Sequence, residues 1–356
     1  MVLANIEYQG FRNLKDASVE FNHSMNLVIG ANAAGKTNFL EAIFFSAFAS
    51  SFRAHEDRNL IRFNDNYIRV KASTSEKTGS VFYNGDKQLT LDGLVKQRLS
   101  DYVGWLLVTI LSLEDIWLVR SAPSNRRAFL DWLVAKLTPM YLHDLSEYRK
   151  ILRQRNRALQ MVRENGDENL LDVYDEQLIN LANKIYMERS KTMPELSATV
   201  NRVADELGLK LLAVDYISTC PSMTLTGEAL RKNRHCEILW GETTIGPHRD
   251  DIAFTLNGKA LKYFASEGEE RSAVIALKLA EAEMLYARTH QQPVLLLDEV
   301  AAELDENRKR IFLNLISELI RRDQGQVFYA STRIPDFLEP SHYQTINVRD
   351  GEIEVS

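Results

Sequence analysis

Apolar and polar positions change their period several times along the 356 residues of this chain. At the start they alternate, with Ile6, Tyr8 and Phe11, then Val19 and Phe21, then Leu27 to Ile29 separated by polar turns, which predicts short strands. Residues 38–48 read as a helix. Further short strands are expected around 67–72, 80–83 and 88–91, the last two joined by Asn84-Gly85, a good hairpin turn. Residues 98–118 are apolar enough to bring the chain back across a core. From about 125 to 207 the period becomes helical: Tyr141, Leu145, Tyr148, Leu152, Leu159 and Val162, a polar break at Asn165-Gly166-Asp167, then Leu170, Tyr174, Leu178, Leu181 and Ile185. Two long amphipathic helices joined by a short turn make either an antiparallel coiled-coil hairpin or part of a plain helical bundle. Strands return near 211–218 and 252–256, so the core is expected to resume there, followed by an apolar helix over 273–286 and an all-aliphatic strand, Val294 to Leu297. The pattern predicts an α/β protein whose core is split by a mostly helical insert.

Chemistry enters at the ends of two of these strands. Gly30-Ala31-Asn32-Ala33-Ala34-Gly35-Lys36-Thr37 fits GxxxxGKT between a strand and a helix, a loop whose backbone N–H groups and helix dipole face phosphates. Lys36 would reach the outer phosphates of ATP, and the Thr37 hydroxyl would ligate Mg2+. Asn38 continues the loop into its helix. Asp298, closing the aliphatic strand, would hold the same ion. The plain reading of the loop is a glycine turn with a solvated lysine; the Asp298-Glu299 pair weighs against it, because adjacent carboxylates at a strand end need a cation or proton between them.

Composition narrows the setting. With 45% hydrophobic and 26% charged residues the chain is an ordinary globular protein of two or three domains. Cys220 and Cys236 have neither disulfide-framework nor zinc-site spacing. Charges at Glu7, Arg12, Lys15 and Asp16 are unlike a signal peptide, and the apolar stretch 39–52 is too short for a bilayer, so a cytoplasmic protein with no membrane partner is expected. The net charge of −6 excludes a uniformly basic nucleic-acid binder, yet residues 120–163 hold ten Lys or Arg against three acids. That segment suits a polyanion or, more plainly, is a solvated helix face.

Ser266-Glu267-Gly268-Glu269 ahead of an apolar helix resembles the signature of ABC-type ATPases, although Ser266 also suits an ordinary N-cap. Glu299 stands where such enzymes keep the carboxylate that positions attacking water, and Glu303-Leu304-Asp305 follows as a D-loop. The resemblance then becomes specific to the RecF family, the DNA-repair branch of ABC ATPases related to SMC proteins. It rests on Gly10-Phe11-Arg12-Asn13-Leu14, Ser51-Phe52-Arg53, residues 126–132, Gln154-Arg155-Asn156, residues 246–251 and 276–281, along nearly the whole chain. It implies an ABC-type core split into residues 1–118 and 242–356 around a helical arm, 119–241. It also implies a homodimer glued by ATP, in which Lys36, Asp298 and Glu299 face Ser266, Gly268 and Glu269 of the other subunit. Binding to gapped or junction DNA, help from RecO and RecR in loading RecA, and slow ATP hydrolysis are further implications. A competing reading is an SMC-like tether that mainly binds proteins.

Some residues depart from the family pattern. Thr109 aligns with the Q-loop glutamine, Glu267, Glu269 and Glu270 make the signature more acidic, and without a switch histidine Ser331 and Thr332 are left to sense the γ-phosphate. Arg12 is open to a phosphate or DNA contact, or to simple exposure. His248-Arg249-Asp250-Asp251 is open to a metal-dependent hydrolase reading, or to a structural loop.

Overall fold

The computed structural model describes residues 2–300 apart from His23 and His55, and residues 304–321, 325–334 and 343–356. The chain divides into two compact units, one of residues 1–116, 206–208 and 271–356, the other of 117–205 and 209–270. The first segment supplies β1 (Leu3–Gln9), β2 (Ala17–Glu20), β3 (Met25–Ile29), α1 (Lys36–Phe48), β4 (Ile68–Thr74), β5 (Thr78–Tyr83), β6 (Lys87–Leu91), β7 (Leu94–Lys96) and β8 (Val108–Ser112). β2, β1, β4, β5, β6 and β7 pair in that order as an antiparallel sheet. Alternate residues of β4 are buried, as one covered face requires.

The second unit is mostly helical: α2 (Trp117–Arg120), α3 (Pro123–Leu137), α4 (Met140–Asn165), α5 (Asn169–Glu206), β9 (Leu212–Ile217), α6 (Gly227–Trp240), β10 (Asp251–Leu256), β11 (Lys259–Ala260) and α7 (Leu261–Phe264). Gly166, at φ 76°, stops α4 and returns its N–H to the Val162 carbonyl, a left-handed cap that glycine adopts without strain. The expected hairpin follows. Arg155 pairs with Asp175 at 2.6 Å and Asp144 with Lys184 at 3.3 Å, so α4 and α5 run antiparallel, and Leu159 and Val162 pack with Leu171 beside the turn. Arg155 is fully buried and also holds Glu237 of α6 at 2.8 Å, so one guanidinium ties three helices together. Buried charges are tolerated only when paired in this way.

One expectation is overturned here. Residues 211–218 and 252–256 do form strands, but β9, β10 and β11 pair with one another as a separate antiparallel sheet inside the helical unit. The core resumes at Arg271.

The last segment contains α8 (Glu267–Thr289), β12 (Val294–Asp298), α9 (Glu306–Arg321), β13 (Val327–Ser331), β14 (Gln344–Arg349) and β15 (Glu352–Val355). A second six-stranded sheet runs β15-β14-β3-β13-β12-β8, parallel except for β15. Helix α1 lies between the two sheets of the first unit, touching β4 and β5 of one and β8, β12 and β13 of the other. Its sequence explains the position: Phe39, Phe44, Phe45 and Phe48 occupy several sides, and a helix apolar all round has to be enclosed. Each buried phenylalanine contributes roughly 2 kcal/mol. Register then aligns the strand ends, with Asp298 opposite Ser112 and Ala330, and Ser331 opposite Ile29. Ligands of open parallel sheets bind along this carboxyl edge.

Candidate functional site

The loop 30–35 joins β3 to α1 and needs glycine at both ends. A Cβ on Gly30 would lie 2.4 Å from the Val348 carbonyl oxygen, and Gly35 has φ 120°, which side chains resist. Helix α1 therefore opens at Lys36, two residues before the expected start, with its leading N–H groups at the loop. Lys36 is 5% exposed; its Nζ donates to the carbonyls of Gly30 (3.0 Å) and Ala31 (3.1 Å) and pairs with Glu299 at 3.0 Å.

Thr37 Oγ1 donates to Asp298 Oδ2 at 2.8 Å, across 261 positions of sequence. The other oxygen, Asp298 Oδ1, is buried without a hydrogen-bond partner. Burial raises the Asp298 carboxyl above the usual carboxylate range and Glu299 adds to the shift, while the Thr37 hydroxyl, Arg53 and Lys36 oppose it. A hydroxyl, an aspartate and an unsatisfied oxygen at one point form a donor set that fits Mg2+, which takes few protein ligands and keeps waters. A cavity of about 470 Å3 opens here, lined by Lys36, Thr37, Asp298 and Glu299, by Asn32, Ala33, Gly35 and Asn38, and by Phe52, Arg53, Ser112 and Glu114. Asn38 is oriented by Asn13 (2.7 Å) and accepts from Arg53 at 3.4 Å. Gly30, Ala31 and Ala34 line a second cavity of about 520 Å3 together with Asn32 and Ala33. Phosphate oxygens and a divalent cation are the chemistry such a site can hold.

The structure also places residues whose roles the sequence leaves open. Thr109 lies inside β8, 2% exposed, and its hydroxyl does not reach the first cavity; Ser112 and Glu114, past the strand's last apolar residue, do. Ser331 and Thr332 do not line that cavity either, and Thr332 belongs to the second. Arg12 contacts no open surface partner: Nε and Nη2 each donate at 3.0 Å to the buried Glu41 of α1, and Nη1 donates to the Asn59 carbonyl at 2.9 Å. Arg53, to which the sequence pattern assigns no role, lines the first cavity as a second cation.

Other candidates take structural places. Ser266, Gly268 and Glu269 lie in the second unit, where Ser266 caps α8. Its N–H and hydroxyl donate to Glu269 Oε2 at 2.7 and 2.8 Å, and the Glu269 N–H returns to Ser266 Oγ at 3.4 Å, a capping box. His248 Nδ1 contacts the Tyr148 hydroxyl at 2.6 Å, Asp250 accepts from Thr219 at 2.7 Å, and Asp251 accepts both arms of Arg126 at 2.8 Å. No group of three or more His, Cys, Asp or Glu side chains suited to holding a metal occurs among the described residues, and these three side chains take the contacts of a structural loop. In the D-loop, Glu303 lies outside the described residues, and Asp305 caps α9 by accepting from the Arg308 N–H at 2.9 Å. No described helix is long and apolar enough to cross a membrane.

Residues 2–353 match the RecF/RecN/SMC N-terminal domain family. A DNA replication and repair protein RecF from Geobacillus sp. (strain WCH70) is 36% identical over 352 residues, covering 94% of this chain and 93% of that protein. Its counterpart from Streptococcus pneumoniae (strain CGSP14) is 36% identical over 374 residues, covering 100% of both. Among solved structures, the recombination mediator protein RecF with ATP, of the RecFOR pathway, superposes with a TM-score of 0.89 at 30% identity over 99% of this chain and 97% of that one. An Smc head bound to the C-terminal winged helix of ScpA shares the fold at TM-score 0.56 and 16% identity, over 99% and 96%. Sequence likeness over the full length, a P-loop facing an aspartate-ended strand and a helical hairpin agree: the chain belongs to the RecF family of DNA replication and repair proteins and has the ABC-type ATPase fold with an inserted arm.

Proposed function

We propose that the chain is an ATP-dependent, dimerising DNA-binding protein of recombinational repair and replication restart. The observation that carries this is the meeting of Thr37 with Asp298 beside the buried Lys36, which supports an ATP site. Lys36 holds Glu299 at 3.0 Å, so an outer phosphate competes with that carboxylate for the same ammonium. Once displaced, Glu299 is available to orient a water for slow hydrolysis. Thr37 and Asp298 would hold Mg2+, which supplies positive charge against the phosphate oxygens. Arg53 adds a second cation at the cavity wall.

Ser266, Gly268 and Glu269 of a second copy complete the phosphate cage, closure of the dimer retains gapped or junction DNA, and hydrolysis releases it. Family membership supports RecO and RecR as partners in loading RecA, and a cytoplasmic location. Two outward-facing side chains at the end of α6, Leu239 and Trp240, 56% and 69% exposed, favour the tether reading as a second possibility, in which the arm binds proteins.

Light scattering tests the proposal. With Mg·ATP the wild-type mass doubles and gapped duplex stabilises the dimer, whereas Lys36→Ala stays monomeric. A mass indifferent to ATP while DNA still binds would remove the shared-site mechanism.

A further inference from the structure

The helical unit contains a cleft of about 300 Å3 that none of the nucleotide motifs enters, walled by Arg127 of α3, Leu145, Arg149 and Leu152 of α4, Arg189 of α5 and His248. Its charge is unbalanced. Asp131 at its base already accepts from Arg189 at 2.7 Å, from Arg149 at 3.2 Å and from the Tyr141 hydroxyl at 2.6 Å. Arg189 is 1% exposed and is spent on this network. Arg127 donates only to a neutral group, the Asp250 carbonyl at 2.7 Å, and makes no ion pair among the described residues. Burial above all, and then the nearby Arg189, lower its pKa, while Asp251, Asp131 and Asp250 oppose the shift. His248 does not add to the charge: burial lowers it to about 4, and its ring nitrogens are engaged by Tyr148 and by the Thr243 carbonyl. Among the lining residues three guanidinium groups therefore stand against one carboxylate, with Asp250 and Asp251 acting on Arg127 from outside the lining.

The charge also continues outward. Arg153 and Arg157 follow Arg149 along one stripe of α4, about 6 Å apart per turn, both exposed and neither in an ion pair among the described residues. Successive anions on a flexible chain match such a row. The cleft is larger than a bare phosphate needs and has apolar walls in Leu145 and Leu152, so it suits an anion that carries a ring.

We propose that this cleft seats one unpaired nucleotide of a DNA strand, its phosphate on Arg127 and Arg149, its sugar or base against Leu145 and Leu152, and the neighbouring phosphates on Arg153 and Arg157. The inference rests on the DNA-binding reading above. A nucleotide within a duplex is held by stacking and pairing and enters a cleft only after being pulled out, so the site discriminates for single strands and gaps.

Full-length protein with Mg·ATP is titrated, by fluorescence anisotropy at one fixed salt concentration, with a single-stranded oligonucleotide, a gapped duplex and a blunt duplex. Arg127→Ala removes the charge; Leu152→Trp fills the cleft and leaves every charge in place. Both are expected to weaken single-strand and gap binding about tenfold and to leave blunt-duplex binding within about twofold, on the scale of one lost nucleotide contact. Equal weakening on all three DNAs for Arg127→Ala, or unchanged binding for that variant, overturns the proposal, as does loss of binding to a polyglutamate peptide with all DNA affinities intact. Should wild type bind none of the DNAs, the broader DNA reading fails first; should it bind while both variants match it, only the cleft fails.

Discussion

Replacing Asp298 with Asn separates a site designed around a cation from one that is merely buried. The folded carboxyl titrates above its ordinary range, so its contribution to stability is fully present below the unfolded value near 4 and is lost as pH rises through the elevated one. At pH 7 the wild-type protein without nucleotide bears that cost, together with an unpaired Oδ1 and a neighbouring Glu299. Asparagine keeps an oxygen for Thr37 and removes the charge. A buried polar atom left unpaired costs about 1–3 kcal/mol, and the amide still leaves some of this in place, so a net gain of about 1 kcal/mol is expected, or about 1–2 °C in melting temperature. The gain should fade towards pH 4. Mg·ATP at a hundred times its Kd adds about 2.7 kcal/mol to the wild type and nothing to a variant that cannot hold the cation. Thermal melting followed by circular dichroism, with and without Mg·ATP, should therefore show the order of the two proteins reverse. An Asp298→Asn protein that melts below wild type without nucleotide, or that gains the same shift from Mg·ATP, refutes the reasoning.

Arg12→Ala leaves the fully buried Glu41 without its two-armed partner and should cost about 3 kcal/mol in urea unfolding, with DNA affinity of the folded protein unchanged. Weakened DNA binding at full stability would return Arg12 to a phosphate-contacting role. Ser266→Asp keeps an N-cap acceptor for α8 but turns the hydroxyl that donates to Glu269 into a second carboxylate against it, so a loss of about 1–2 kcal/mol is expected, and with charge added where the second subunit's phosphates are proposed to lie the ATP-dependent gain in mass of the folded protein should vanish. An intact dimer would rule out the signature loop as part of a shared site.

Local sequence carries the elements whose causes are local. The glycine-bounded loop 30–37, the aliphatic β12 and the amphipathic α4 and α5 with Gly166 between them were all legible, because a left-handed cap, a covered strand and a helical stripe each follow from residues a few positions apart. Pairing is different. The alternation in β9 and β10 announces strands with one buried face, yet nothing in it names a neighbour, and the two joined each other instead of the core. The residue that meets the site from β8 is hidden for the same reason: only the ladder with β12 shows that Ser112, three residues beyond Thr109, stands beside Asp298. A charged residue likewise does not announce its partner, so Arg12 read as a surface cation until tertiary packing set it against Glu41. The sequence by itself determined the phosphate loop, the acidic strand end and the arm. The approach of Thr37 to Asp298, the balance of charge around Arg127 and the burial that shifts Asp298 come only from the tertiary structure, because each depends on distances between residues that the chain alone leaves far apart.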